Sequence, residues 1–168
     1  MKKARYKVNP RHTPLTKLGS LLTAVAFLLL PVTTLAGNLP TGPSVVHGGV
    51  TISTAGQQMN IQQATGQAIV NWESFNIGTG YGVDVNQPGE TAAMLSRVVG
   101  ADPSQILGAL TANGIFYLVN PNGVFFGEGA TVDVAQLIAS TLNISNQDFL
   151  SGNLDFSGDS AAAVENAG

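Results

Sequence analysis

The sequence predicts an all-β chain, and three observations carry that prediction. Short runs of apolar, β-branched and aromatic residues recur between Gly, Asn, Pro and Ser, and no long segment keeps a helical period. Asn-Gly occurs at 113–114 and again nine residues on at 122–123, each time just ahead of an apolar run. Many of these runs hold apolar residues at consecutive positions, as strands buried on both faces do, whereas a sheet with one wet face alternates. Strands of this kind close into a sandwich, a barrel or a solenoid. Small polar corners and few charges suit coils stacked directly on one another.

The first 36 residues are a different kind of segment. Six of the seven basic residues (Lys2, Lys3, Arg5, Lys7, Arg11, Lys17) precede an apolar run from Leu18 to Leu30, and Thr34-Leu35-Ala36 follows with small residues at the cleavage positions. This order reads as a secretory signal peptide over residues 1–36, cut between Ala36 and Gly37. The apolar run is shorter than the ~20 residues of a membrane-spanning helix. From Gly37 onward the chain carries Arg97 as its single Lys/Arg against ten carboxylates, a net charge of about −9. Such a surface is repelled by a phosphate backbone, which is bound through Lys and Arg, so nucleic acid is not an expected partner. Without cysteine there is neither disulfide nor thiol chemistry.

The expected strands, in order, are Val50–Ser53, Met59–Gln62, Ala68–Trp72, Gly82–Val85, Ala92–Leu95, Ile115–Val119, Val124–Phe126 and Thr131–Val134. Asp102-Pro103-Ser104-Gln105-Ile106-Leu107 is the exception, because Asp before Pro suits the start of a single helical turn. Asn120-Pro121-Asn122-Gly123 matches a type I turn, with Asn at the first place, Pro at the second and Gly at the fourth. The apolar runs on either side of that turn are strands expected to be buried on both faces, with Val119, Val124 and Phe126 stacked inside. Trp72, Phe75, Phe116, Tyr117, Phe125 and Phe126 are expected core residues.

Little here suits catalysis. Beyond residue 36 there is one His (His47) and one Arg (Arg97), with no Lys, and no nucleophile–base pair is recognisable. His47 is expected to be solvated or to cap a turn, and Arg97 to pair with a carboxylate or cap carbonyls. Asp155 and Asp159 flank Ser157-Gly158 without the dense oxygen ligands of a calcium loop. Gly78-Thr79-Gly80-Tyr81-Gly82 lacks the Lys-Ser/Thr of a phosphate loop and reads as a turn. Asn143-Ile144-Ser145 is one N-glycosylation sequon. No catalytic, cofactor-binding or metal-binding residue is expected.

An ordered series of motifs points further. It begins with Asn71-Trp72-Glu73-Ser74-Phe75-Asn76-Ile77-Gly78, Gln87-Pro88, Arg97-Val98 and Ile106-Leu107-Gly108. It continues with Ala112-Asn113-Gly114, the octet from Asn120 to Gly127, and Leu137-Ile138-Ala139-Ser140-Thr141. In this order and spacing the chain resembles the filamentous-haemagglutinin family, specifically its N-terminal two-partner-secretion domain in the branch of high-molecular-weight adhesins. The resemblance runs from about Val50 to Phe156, and Ser96 departs from it where the family usually has Asn.

The resemblance implies a right-handed parallel β-helix, a single-stranded solenoid with an N-terminal cap and extra-helical strands. That domain would span residues 37–156, and residues 157–168 would start a further coil of a truncated or split exoprotein. It implies a monomeric, non-enzymatic export signal that leaves through the Sec pathway, the periplasm and the outer membrane for the medium or cell surface. Its partner would be an outer-membrane TpsB-type transporter with POTRA repeats and a β-barrel, and a further C-terminal passenger would meet host glycans or proteins. The motif residues would then be Asn71, Trp72, Phe75, Gln87, Pro88, Arg97, Asn113, Gly114, Asn120, Pro121, Asn122, Gly123, Phe126 and Gly127, acting through the fold or through transporter contact. Of the two roles, a register-setting turn is the preferred one for the Asn120 octet. The alternatives are a β-helical carbohydrate-active enzyme, which needs clustered Asp ligands beside a base, and a glycan-binding module, which needs exposed aromatics.

Overall fold

The computed structural model describes residues 38–168; the expected signal peptide and its cut between Ala36 and Gly37 lie outside the described residues. The described chain winds into a three-sided parallel β-helix. On the first side, β3 (Gln58–Gln63), β5 (Gly82–Asn86), the first half of β8 (Ala109–Val119) and the first half of β10 (Thr131–Ser140) pair in parallel. On the second side the parallel stack is β4 (Gln67–Trp72), β6 (Ala93–Val98) and the second halves of β8 and β10. The third side stacks β7 (Ser104–Ile106), β9 (Val124–Phe126) and β13 (Val164–Asn166), and Ile77 bridges to Ile106 beneath them.

The two ends differ. At the N-terminal end, β1 (Ser44–His47) lies antiparallel on β4, and β2 (Val50–Ala55) lies antiparallel on β3. The chain crosses between these cap strands at Gly48, whose φ of 84° belongs to the left-handed region that glycine tolerates. At the other end β10 and β13 are left as parallel edges. There Phe126, Ala130, Val132, Leu137, Ala139 and Val164 line a hollow of about 420 Å³.

Strand periodicity sorts the side chains into two cores. Those turned inward form the main core, including Ile61, Val70, Trp72, Phe75, Ile77, Val83, Met94, Ile106, Leu110, Phe116, Leu118 and Val124. Fully burying a side chain of this size contributes roughly 1.5–3 kcal/mol. Ile69, Leu95, Tyr117 and Val119 point outward from the second side and form a second cluster with Ile144 and Phe149. Those two come from an excursion that leaves the helix after β10. It contains β11 (Asn143–Ile144), α1 (Asn146–Ser151) and β12 (Phe156–Ser157), with β11 and β12 antiparallel. Ser145 caps α1 by accepting from the Asp148 amide, and Gly152 ends it with φ 73°. Tyr117 and Phe149 meet edge to face at 5.3 Å between ring centres.

Several expectations are corrected. Asp102–Leu107 forms no helical turn: Ser104–Ile106 is strand β7, held by β9 on one flank and by Ile77 on the other. Tertiary pairing overrides the helix-start signal of Asp-Pro. Val119 is buried but belongs to the outer cluster rather than beside Val124 and Phe126, because period two places it opposite Leu118. Phe125, expected in the core, is partly exposed on the third side for the same reason. β1, α1 and the β11–β12 pair lie in segments assigned no element from the sequence.

Candidate functional site

The motif residues fall mainly on the corners where one side of the coil turns into the next. At the corner between β8 and β9, the Gly123 amide donates to the Asn120 carbonyl at 3.1 Å, which closes the expected turn. Gly123 has φ 118°, a conformation that disfavours any residue with a Cβ. The Asn120 side chain is fully buried. Its Oδ1 accepts from the Asn122 amide at 2.9 Å, and its Nδ2 donates to the Asp102 carbonyl and to Ser104 Oγ, each at 3.0 Å. Its main-chain amide donates to the Ser140 carbonyl on the next coil at 3.0 Å. Asn120 therefore ties three successive coils together at one corner. Asn122 adds a bond from Nδ2 to the Gly100 carbonyl at 2.9 Å, and the Pro121 carbonyl accepts from Ser160 Oγ at 2.6 Å. The Gly127 amide donates to the Ile106 carbonyl at 2.9 Å.

The corner between the first and second sides holds a second ladder. Asn113 pairs with the main chain of Gln87 in both directions: Gln87 N–H donates to Asn113 Oδ1 at 2.6 Å, and Asn113 Nδ2 donates to the Gln87 carbonyl at 2.9 Å. The buried Gln87 side chain donates through Nε2 to Gln63 Oε1 and to the Ala92 carbonyl, both at 3.1 Å. Gln63 in turn donates to the Ala93 carbonyl at 3.2 Å. Pro88 opens the loop into β6, and Gly114 lies against the Ala92 carbonyl, where a side chain would collide. Gln63 is the partner that sequence reasoning missed, since it reads as an exposed polar residue ending a strand. Asn76 is another, because its Oδ1 accepts from the Gln105 amide at 2.8 Å.

Arg97 forms the third constellation. Its Nε donates to Asn143 Oδ1 at 2.8 Å, its Nη1 to Asn146 Oδ1 at 2.9 Å and to Asn71 Oδ1 at 3.3 Å, and its Nη2 to the Ile144 carbonyl at 2.6 Å. The guanidinium caps a carbonyl, one of its two expected roles, and otherwise finds amide oxygens. Burial lowers its pKa from the usual arginine value by desolvation. Its reach from β6 to β11 and α1 clips the excursion to the second side, assisted by Gln67 Nε2 donating to the Phe149 carbonyl at 3.1 Å. The sequon residues are part of this clip: Asn143 Oδ1 receives Arg97, and Ser145 caps α1.

Trp72 and Phe75 anchor the interior, with ring centres 5.3 Å apart in edge contact, and Phe75 meets Phe116 at 5.8 Å. Phe126 is buried at the other end of the same core. Among the described residues no three His, Asp or Glu side chains gather as metal ligands. Asp84 and Asp133 are both register partners of Thr111 on the outer surface of the first side, where Thr111 Oγ1 donates to Asp84. His47 is exposed on β1.

The architecture and its corners can be set against known proteins. The family model described as TPS secretion domain matches residues 36–167. The chain belongs to this family. The TPS secretion domain also has a solved counterpart in the HMW1 secretion domain from Haemophilus influenzae. That structure superposes with a TM-score of 0.71 at 35% identity, covering 76% of this chain and 35% of the other. Two heme/hemopexin-binding proteins of Haemophilus influenzae, one from strain Rd, are 45% and 44% identical over 109 and 108 residues. Those stretches are 65% and 64% of this chain but only 12% of each relative. The chain thus spans a small part of the curated relatives it matches. This TPS domain falls in the adhesin branch of the family, a family of secretion domains rather than of enzymes. Proteins carrying a TPS domain are exported, and the domain implies a partner transporter in the outer membrane.

Proposed function

We propose that this domain is the secretion signal of an adhesin-like exoprotein, read in the periplasm by the POTRA repeats of a TpsB-type transporter, and that it nucleates folding of the β-helix that follows. The route is Sec export, then passage through the transporter barrel to the surface. The observation that carries this reading is the cap at the N-terminal end. Antiparallel β1 and β2 close that end of the β-helix, and from β3 onward the three sides stack in parallel. A capped start is a base on which parallel coils can be added one at a time, since each repeat contacts chiefly its neighbours.

The corner residues act in this reading through the fold. Asn120 is buried, so its bonds to Asp102 and Ser104 are available to a transporter only if the corner opens. Arg97 acts by seating the excursion, and Gln87 with Asn113 by holding the first corner in register. The enzymatic alternative would need a free base beside clustered carboxylates, whereas Arg97 is already engaged with amide oxygens. The glycan-binding alternative would need exposed rings, whereas Trp72, Phe75 and Phe116 are interior. The heme and hemopexin binding in the names of the relatives belongs to proteins of which this domain matches 12%.

The test is transporter-dependent export. The chain is expressed in an outer-membrane-containing host with and without its cognate transporter, and the medium and periplasm are probed for it. Appearance in the medium only with the transporter is the expected result. Equal distribution in both hosts would refute the reading.

A further inference from the structure

Each side of the β-helix has its own cover at the N-terminal end. β2 covers the first side and β1 the second. The third side starts with residues 73–78, which lie below β7, and its cover is the short segment 38–41. Thr41 pairs antiparallel with Ser74: its amide donates to the Ser74 carbonyl at 2.9 Å, and the Glu73 amide donates to the Thr41 carbonyl at 3.0 Å. The Thr41 and Ser74 hydroxyls meet at 2.7 Å. At the other end of the segment the Gly78 amide donates to the Asn38 carbonyl at 2.9 Å. Between these ties Leu39 packs against the main core and Pro40 is buried.

Gly37 alone separates this segment from the expected cut after Ala36. Two residues reach about 7 Å at full extension, so the scissile bond stays within that distance of Asn38. An extended segment is gripped through main-chain groups that are free to pair and through alternate side chains. In residues 38–41 the main-chain groups of Asn38 and Thr41 are already bonded to residues 73–78, and Leu39 faces the core. A docked segment therefore withholds from a peptidase the residues just beyond the bond it cuts.

We infer that docking of residues 38–41 and removal of the signal compete for the same stretch of chain, so that cleavage comes before closure of the third side. This rests on the reading of the domain as a Sec-exported secretion signal with a signal peptide over residues 1–36. In the cleavage, water adds across the peptide bond between Ala36 and Gly37, leaving a carboxylate on Ala36 and an amino group on Gly37. The freed segment then folds under residues 73–78 and completes the base on which the coils stand. A peptidase acts on the fraction of chains whose segment is open, so docking slows the cut by the factor that favours the docked state.

The order of addition tests this on the full precursor in detergent micelles with purified signal peptidase. In one arm the precursor is diluted from denaturant straight into peptidase. In the other it folds first, followed by the fluorescence of Trp72, its single tryptophan. The expected result is a cut between Ala36 and Gly37 in both arms, about ten-fold or more slower in the folded one. A third arm uses Ser74→Ala together with Gly78→Val, which leaves residues 34–41 untouched. Ser74→Ala removes the hydroxyl that meets Thr41, and a Cβ at position 78 would stand 2.6 Å from Asn38 Oδ1. Once folded, this variant is expected to be cut at close to the rate of the unfolded parent. Should the variant fail to fold, the two arms of the parent decide. Equal rates in those arms overturn the inference, as does a folded variant cut as slowly as the folded parent. A precursor that stays unfolded until it is cut overturns it too, because docked residues are then not what sets the order. No cut in any arm, or a cut elsewhere, overturns it together with the signal-peptide reading.

Discussion

Asn120 Nδ2 and Ser104 Oγ lie 3.0 Å apart, and both side chains are fully buried, one at the corner of a coil and the other at the corner of the coil before it. The bond is a register pin between coils rather than a feature of one turn. Removing one partner leaves the other buried and unsatisfied, which costs about 1–3 kcal/mol. Ser104→Ala is therefore expected to lower stability by roughly 1 kcal/mol, because Asn120 Nδ2 keeps its bond to the Asp102 carbonyl. Asn120→Leu removes all of its side-chain bonds and is expected to cost about 3 kcal/mol or more. Denaturant unfolding of both single variants and the double variant measures the coupling. A coupling of zero would show that the two residues do not act as a pair.

Arg97 supplies four bonds, three of them to the excursion that covers Leu95, Tyr117 and Val119. Lysine offers a compact ammonium that cannot span the same set. Arg97→Lys and Arg97→Met are both expected to lose roughly 2 kcal/mol, after discounting for partial exposure. The loss should be concentrated in residues 143–157, where limited proteolysis would cut first. Cleavage patterns unchanged from the parent would count against the clip.

Asp148 has its pKa lowered from 3.8, chiefly by the Ser145 hydroxyl and next by the Asn153 side chain. A carboxylate whose folded pKa is depressed contributes stability above the unfolded value, and that contribution is lost as pH falls through the folded one. The cap of α1 should thus weaken only below about pH 4. Asp148→Asn is expected to flatten the acid limb of the stability profile for the excursion, followed by tyrosine and near-ultraviolet signals from Tyr117. An acid limb identical to that of the parent would contradict this.

Ser96 and Trp72 both point into the main core, and among the described residues neither Ser96 Oγ nor Trp72 Nε1 finds a hydrogen-bond partner. A buried hydroxyl with no partner is a cost, so Ser96→Ala is expected to be neutral or stabilising by up to about 1 kcal/mol. Thermal unfolding checks the sign. A clear loss of stability would show that the hydroxyl is bonded in solution.

Much of this was legible in the chain, for reasons of local chemistry. Apart from β7 and the first half of β8, the strands from Gln58 to Phe126 were visible because β-branched runs alternate with Asn and Gly corners, and the Asn120 turn because Asn, Pro and Gly each suit one place in it. The helical turn expected at Asp102 was wrong because its cue is local, whereas Ile77 and β9 hold Ser104–Ile106 extended. Cap strand β1 and the excursion were hidden for a related reason. Their stability comes from Asn71, Arg97 and Phe149 meeting across dozens of residues, and no short window of sequence contains such pairs. Gln63 was missed because a polar residue at a strand end is indistinguishable, in sequence, from one buried in a corner ladder.

The central claim is that the corner motifs serve export by holding the coils in register. The direct measurement takes Ser104→Ala, Asn120→Leu and Gly123→Val, and determines for each the melting temperature and the transporter-dependent yield in the medium. The account predicts that yield falls in step with melting temperature across the series, with Ser104→Ala least affected. A variant at Asn120 that melts with the parent protein yet is no longer exported would contradict it.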